Sequence, residues 1–179
     1  GTARAPSVIP AQAGIHPPAP MQFPVPIPFV DHLGFELVRF ADGQAEIHLE
    51  LRPELLNSFL VAHGGVSMTL LDVVMAHAAR SSVPDSGAVT IEMKTSFFRP
   101  GEGRLHAVGR LLHRSATMAF TEGHVYGGHG ELCAHATGTF KYVKRLPAGH
   151  GGRAIKALNR PGEDEAQAQD PHPRTDRPR

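Results

Sequence analysis

The stretch GGVSMTLLDVVMAHAARS, residues 64–81, decides how this sequence folds. Its apolar residues recur at spacings of three and four, which is the period of an α-helix. Nearly all the other positions are also apolar or small, so we expect a helix that is buried rather than one that lies on a surface. The residues that set the period are Val66, Leu70, Val73, Val74 and Ala78.

Apolar segments with a period of two lie on both sides of this helix. Residues 35–51 alternate around Asp42-Gly43, which predicts a β-hairpin. Four further segments begin near Val89, Leu105, Met118 and Leu132, and short connections separate them. Short connections favour antiparallel pairing. The sequence therefore predicts an α+β domain in which a hairpin and a four-stranded antiparallel meander form a sheet wrapped around one long central helix.

The two ends of the chain differ in composition from the middle. Eight of the 16 prolines precede residue 29 and disfavour a helix or an internal strand there, so we expect residues 1–28 to be a Pro-rich disordered segment. Residues 148–179 carry almost no large apolar side chains and are expected to be a disordered tail. The folded domain then spans residues 29–147 and opens with a helical turn that ends at Gly34.

Composition limits the classes of function. The chain is 41% hydrophobic and 20% charged with a formal net charge of +1, which argues against bulk electrostatic binding of nucleic acid or an anionic membrane. No apolar run is long enough to span a bilayer. The single cysteine, Cys133, is expected to be a packed residue in a cytoplasmic protein. The 12 histidines show no compact zinc spacing, so we expect no metal site.

Asp72 is the most informative polar residue. It lies between Leu71 and Val73 in a helix that has no polar face, and an aspartate is costly to bury. One interpretation is that Asp72 faces solvent or pairs with a structural arginine. The other, which the apolar helix favours, is that Asp72 lines a functional cleft.

The helix start is the second informative feature. Gly64 and Gly65 lie where the first amide N–H groups have no partner within the helix, and the absence of side chains lets a ligand approach the backbone. The positive end of the helix dipole favours a developing negative charge, as in an oxyanion site for acyl transfer. A Gly pair that only makes the turn into the helix is the alternative.

The spacing of these two features predicts a dimer. Gly64 and Asp72 are eight residues apart, or roughly 12 Å along an α-helix. One carbonyl cannot touch both within a single chain. If both act on one substrate, two subunits must contribute to each site, which predicts a two-fold dimer with equivalent sites at its interface.

The same stretch resembles the PaaI-type branch of the hotdog-fold acyl-CoA thioesterases. The hallmark of that family is Asn, then His-Gly-Gly, then a helix with Asp, and here Asn57 precedes His63 by six residues and Asp72 follows it by nine. The resemblance covers about residues 30–144, including Ala134-His-Ala-Thr-Gly-Thr-Phe140. It implies hydrolysis of an acyl-CoA thioester to free acid and CoA by a homodimer, or a dimer of dimers, without a further cofactor.

The resemblance also implies roles for single residues. The Gly64 N–H polarises the thioester carbonyl, and Asp72 of the partner subunit is the nucleophile or the general base for water. Asn57 holds the water or the carboxylate, His63 orients the loop and supports the oxyanion, and Thr90 helps to position the water. Other interpretations stay open: a turn residue for Asn57, a capping or packing residue for His63, and a surface threonine for Thr90, because alternation places Thr90 on one strand face with Glu92 and Lys94.

Four further residues are candidates for substrate binding. Gly65 lies beside the oxyanion site, and Arg99 follows Phe97-Phe98 at a strand end. Arg114-Ser115 lies at a turn where relatives often bind the nucleotide of CoA. Each arginine could also be an ordinary solvated charge.

Two other functions compete with thioester hydrolysis. A hotdog enoyl-CoA hydratase would use a different pairing of acid and histidine, and the spacing of His77 from Asp72 places the two on different helix faces. A non-catalytic acyl-CoA-binding module would keep the cleft but would not need Asp72.

Overall fold

Six antiparallel strands curl around one long helix in the computed structural model, which describes residues 19–144. This architecture confirms the predicted fold class. The predictions for residues 1–18 and 145–179 lie outside the described residues. The elements are α1 (Pro28–Leu33), β1 (Phe35–Ala41), β2 (Gln44–Glu50), a 3-10 turn (Pro53–Leu55), α2 (Gly64–Ser81), β3 (Gly87–Phe97), β4 (Arg104–Arg114), β5 (Met118–Tyr126) and β6 (Leu132–Val143).

Helix α2 begins and ends where its periodicity predicts, and it is the buried centre of the fold. Its apolar side chains pack against the inner face of the sheet, where Ile47 and Phe140 are also fully buried. At Gly109 the strand lies so close to the helix that an added Cβ atom would be 2.5 Å from the carbonyl oxygen of Val74. Burial of this apolar surface is the main source of stability and fixes the helix against the sheet.

The β1–β2 hairpin is also as predicted. Asp42 and Gly43 both have positive φ angles, 54° and 73°, which is the conformation of the tight turn that matches the twist of a hairpin. The helical turn before β1 ends at Gly34, whose φ of 78° is left-handed.

The predicted four-stranded meander is wrong at one point. The strand order is β1-β2-β4-β5-β6-β3, so β3 pairs with β6 and not with β4. Residues 98–103 therefore cross from β3 to β4 instead of making a hairpin turn. Alternation shows which face of a strand is buried, but it does not identify the neighbouring strand. Strand β3 consequently lies at one edge of the sheet.

Part of the predicted disordered N-terminal segment packs on the domain. The Met21 N–H donates a hydrogen bond to the Leu37 carbonyl at 2.8 Å. The Phe23 ring meets the edge of the His77 ring, with centroids 5.1 Å apart. The described part of the domain therefore extends before residue 29. None of the helices in residues 19–144 has both the length and the apolar character needed to cross a membrane.

Candidate active site

The tip of α2 holds one backbone donor that is free to bind a ligand. His63 caps the helix, and its Nδ1 accepts a hydrogen bond from the Gly65 N–H at 2.9 Å. Within residues 19–144 the Gly64 N–H has no acceptor. Of the roles considered for His63, capping of the helix is the contact that the structure has. The Gly65 N–H is therefore already hydrogen-bonded within the protein. Gly64 is left as the donor at the positive end of the helix dipole.

A cavity of about 420 Å³ opens beside this tip, between the first turn of α2 and the end of β3. Asn57 lies on its wall, and its Oδ1 accepts hydrogen bonds from the N–H groups of Phe59 (2.8 Å) and Val61 (3.4 Å). Asn57 therefore acts as the turn residue that shapes this loop. The lining residues are Asn57, Val61, Ala62, Gly64, Ser67, Phe97, Phe98, Arg99, Pro100, Gly101 and Cys133.

Ser67 belongs to this cavity, although its sequence signal is weak. A serine inside a helix usually points to solvent or bonds to its own backbone. Ser67 is instead buried and contributes to the cavity wall together with Gly64. The three-residue spacing between them, which places both on one side of the helix, is the signal that could have identified Ser67.

Asp72 lies in the middle of α2 with its carboxylate partly buried and held by one side chain. The Thr90 hydroxyl donates to Asp72 Oδ1 at 2.7 Å. Burial raises the pKa of Asp72 above that of an ordinary aspartate, and the hydrogen bond from Thr90 opposes that rise. No salt bridge pairs Asp72 with an arginine among the described residues. Asp72 is thus a carboxylate without a countercharge, in surroundings that increase its basicity.

The predicted strand face of Thr90 is wrong. Regular alternation would place Thr90 beside Glu92 and Lys94, but a β-bulge shifts the register between Thr90 and Glu92. The extra residue turns the Thr90 side chain towards the helix, where it reaches Asp72. Thr90 is therefore not a plain surface threonine, because its hydroxyl contacts Asp72 of the candidate site.

Gly64 and Asp72 do not meet within one chain. They lie eight residues apart on the same helix, which is about 12 Å along its axis. A single chain therefore holds the free amide and the carboxylate as two separate halves.

The candidate CoA-binding residues lie at opposite ends of the sheet. Arg99 is at the rim of the cavity beside the helix tip. Arg114 and Ser115 lie at the β4–β5 turn, next to the last residues of β6 and the C-terminal end of α2. The Ser115 Oγ accepts a hydrogen bond from the Met118 N–H at 3.0 Å, so it also stabilises its own turn.

His77 and Cys133 are packing residues. His77 is buried, and its Nδ1 lies 2.7 Å from the Val73 carbonyl oxygen. Burial lowers the pKa of His77 to about 4, so the ring is neutral near pH 7. Cys133 is buried as predicted, with its thiol 3.2 Å from the Pro100 carbonyl oxygen.

Comparisons with known proteins agree with this fold. The model of the Thioesterase superfamily matches residues 59–134, which include the helix tip, Asp72 and Thr90. A conserved protein of Pseudomonas aeruginosa is 31% identical with a TM-score of 0.64, over 67% of this chain and 97% of that one. A mutant form of the phenylacetic acid degradation protein PaaI from Thermus thermophilus is 32% identical with a TM-score of 0.59, over 67% of this chain and 100% of that one.

A relative that was compared by sequence alone also matches this chain. A protein of Thermoplasma acidophilum whose name proposes esterase activity is 25% identical over 118 residues, or 65% of this chain and 89% of its own length. These comparisons and the wrapped antiparallel sheet identify the class of protein and the general reaction. The chain belongs to the Thioesterase superfamily, as a PaaI-like hotdog-fold hydrolase of thioesters.

Proposed function

We propose that this thioesterase hydrolyses an acyl-CoA to the free acid and CoA, at sites that two chains of a homodimer build together. The observation that carries the proposal is the distance between the free Gly64 amide and the Asp72 carboxylate. Both are suited to acyl transfer, but about 12 Å of helix separates them in one chain. In a dimer with antiparallel α2 helices, the tip of one helix comes beside Asp72 of the partner subunit.

The exposed edge of the sheet supports such a dimer. Strand β3 is 11 residues long and lies at the edge, where unpaired N–H and C=O groups would favour pairing with another chain. Large apolar side chains are exposed along the same side: Ile91 (56%) and Phe97 (54%) on β3, and Met68 (41%) on α2. A two-fold axis through β3 would pair the two edges, cover these side chains and set the helices antiparallel.

The chemistry begins at the thioester carbonyl. The Gly64 N–H donates to the carbonyl oxygen and stabilises the negative charge that develops on it, with the help of the helix dipole. Asp72 of the partner subunit then acts in one of two ways. As a general base, it takes a proton from a water molecule whose oxygen attacks the carbonyl carbon; as a nucleophile, it forms an anhydride that water hydrolyses. In both, the C–S bond breaks and CoA leaves as the thiol after gaining a proton.

The surrounding residues prepare these two groups. The hydrogen bond from Thr90 fixes the carboxylate of Asp72, while partial burial makes it more basic. The His63 cap holds the first helical turn and leaves the Gly64 amide free. Asn57 supports the same loop through its turn.

Arginine side chains would receive the phosphates of CoA. An antiparallel dimer brings the helix tip of one chain, with Arg99, to the end of the sheet where the β4–β5 turn of the other chain lies. Arg114 of the partner subunit would then lie at the same end of the combined sheet as Arg99. The two guanidinium groups would each be available to a phosphate group of CoA. Pairing of dimers into tetramers stays a prediction.

Replacing Asp72 tests the proposal. Asp72→Asn keeps the shape and the acceptor for Thr90 but removes the basic carboxylate, so CoA release should fall by about 10²–10⁴-fold. Asp85→Asn, in the exposed turn after α2, is the matched control and should retain full activity. Free thiol is measured with a panel of acyl-CoA thioesters, and light scattering measures the oligomeric state. Full activity of Asp72→Asn, or a wild-type protein that is an active monomer, would contradict the proposal.

A further inference from the structure

We propose that the cavity beside the helix tip receives the acyl group and that Ser67 selects acyl groups with a hydroxyl at carbon 3. This inference rests on the proposed function, since it assumes that the Gly64 amide binds the thioester carbonyl. It goes further because it assigns a substrate class and a specificity residue to the cavity.

Ser67 is a largely buried residue whose hydroxyl has no hydrogen-bond partner in the described part of the chain. Its exposed fraction is 6%, and within residues 19–144 its hydroxyl makes no hydrogen bond, whereas the nearby Thr69 hydroxyl donates to the Gly65 carbonyl at 2.9 Å. The hydroxyl oxygen of Ser67 is not among the fully buried side-chain atoms without a partner in this part of the chain, so it is open to the cavity. Because Ser67 lines the cavity, a ligand in the cavity could supply the missing partner.

Much of the cavity wall around Ser67 is apolar. Val61, Phe97 and Phe98 present apolar surface. The Cys133 thiol and the Asn57 carbonyl oxygen are polar, but each already has a partner in the protein. The Arg99 guanidinium and the Asn57 side-chain NH2 are further donors on this wall. The cavity therefore suits a mostly apolar group that carries a hydrogen-bonding atom near Ser67.

The position of Ser67 on the helix indicates where that atom lies in the substrate. Ser67 is three residues from Gly64, or about 4.5 Å along the axis and on nearly the same side of the helix. An acyl chain whose carbonyl oxygen accepts from Gly64 would pass Ser67 with its second and third carbons. A hydroxyl on carbon 3, three bonds from the carbonyl carbon, comes within hydrogen-bonding reach.

Matched substrate pairs test this assignment. Butyryl-CoA and hexanoyl-CoA are each compared with their 3-hydroxy derivatives, using both enantiomers, and kcat/KM is measured for every substrate. The wild-type enzyme should prefer one enantiomer of the hydroxylated member by about 10-fold, which corresponds to the net contribution of one hydrogen bond. In Ser67→Ala this ratio should fall to about one, because kcat/KM for the preferred hydroxylated members loses the contribution of that hydrogen bond. Alanine favours helix, so the variant should fold, and thermal unfolding checks this.

Thr69→Val is the control on the same helix, because it removes a hydroxyl that does not line the cavity, and it should keep the wild-type ratio. A wild-type enzyme without preference for the hydroxylated members, or a Ser67→Ala variant that keeps the preference, would overturn the inference while leaving acyl-CoA hydrolysis intact. A wild-type enzyme that hydrolyses no acyl-CoA at all would instead refute the proposed function.

Discussion

The two halves of helix α2 differ in how open their polar groups are to a ligand. The second half, from Val73 onwards, is sealed: Val74, Met75, Ala78 and Ala79 are fully buried. Its polar side chains His77 and Arg80 are enclosed as well, and one nitrogen of each is buried without a hydrogen-bond partner among the described residues. The Arg80 guanidinium lies 5.9 Å from the centre of the Phe40 ring. Among the contacts of residues 19–144, the first half holds a free amide, a hydroxyl without a partner and a carboxylate without a countercharge.

This difference shows how the fold supports chemistry. Polar groups that are open to a ligand keep a fixed position only if the element that carries them is held elsewhere. Packing of the second half against β2, β4 and β5 supplies that support. The contrast predicts that changes in the first half reduce activity with little loss of stability, and that changes in the second half reduce stability.

The largest expected effect in the first half comes from Gly64→Pro. Proline removes the N–H but is tolerated at the first position of a helix, and His63 already has the extended conformation that precedes proline. Loss of one oxyanion donor should lower kcat by about 10²–10³-fold. Gly64→Ala is the control, since it keeps the N–H and its Cβ would lie at an ordinary 3.7 Å from the Phe97 ring. Equal loss in both variants would show that bulk, rather than the amide, matters.

The second half is tested by Gly109→Ala on β4. The added Cβ would lie 2.5 Å from the Val74 carbonyl oxygen, so the helix and the strand must separate. We expect a loss of about 1–3 kcal/mol in the free energy of unfolding, measured with urea. Gly123→Ala is the comparison, because its Cβ would meet the Met75 side chain at 3.0 Å and methionine can adjust. Stability unchanged in Gly109→Ala would mean that the second half is less rigidly packed than described.

The smallest effect is a shift in pH dependence from Thr90→Val. Burial raises the pKa of Asp72 and the hydrogen bond from Thr90 lowers it, so removing that bond should raise the pKa further. Because the active form is the carboxylate, the acidic limb of the kcat/KM profile should move to higher pH. Thr137→Val, on the exposed side of β6, should leave the profile in place. A shift to lower pH would contradict the assignment of Asp72 as the titrating group.

The sequence was sufficient to predict the elements that depend on local patterns. Periodicity placed α2 at residues 64–81, and Asp42-Gly43 placed the hairpin, because both depend on neighbours in the chain. The position of β3 could not be predicted, since pairing with β6 joins segments about 45 residues apart.

The candidate site shows the same division. Gly64 and Asp72 were identified from their place in the helix pattern. The contact of Thr90 with Asp72 depends on a β-bulge, and a single extra residue in a strand leaves no clear trace in alternation. Likewise, the Gly65 N–H donates to His63 and is not available to a ligand. That contact depends on the rotamer of the His63 side chain, which the sequence does not specify.

Complementation between two inactive variants is the most direct measurement of the central claim, that each site takes its amide from one chain and its acid from the other. Asp72→Asn lacks the acid and Gly64→Pro lacks the amide, so each protein alone should be nearly inactive. If the chains are mixed at random after unfolding and refolding, half of the dimers are mixed and each has one intact site, which predicts about a quarter of the wild-type activity. Activity in the mixture that does not exceed that of the two separate variants would contradict the account.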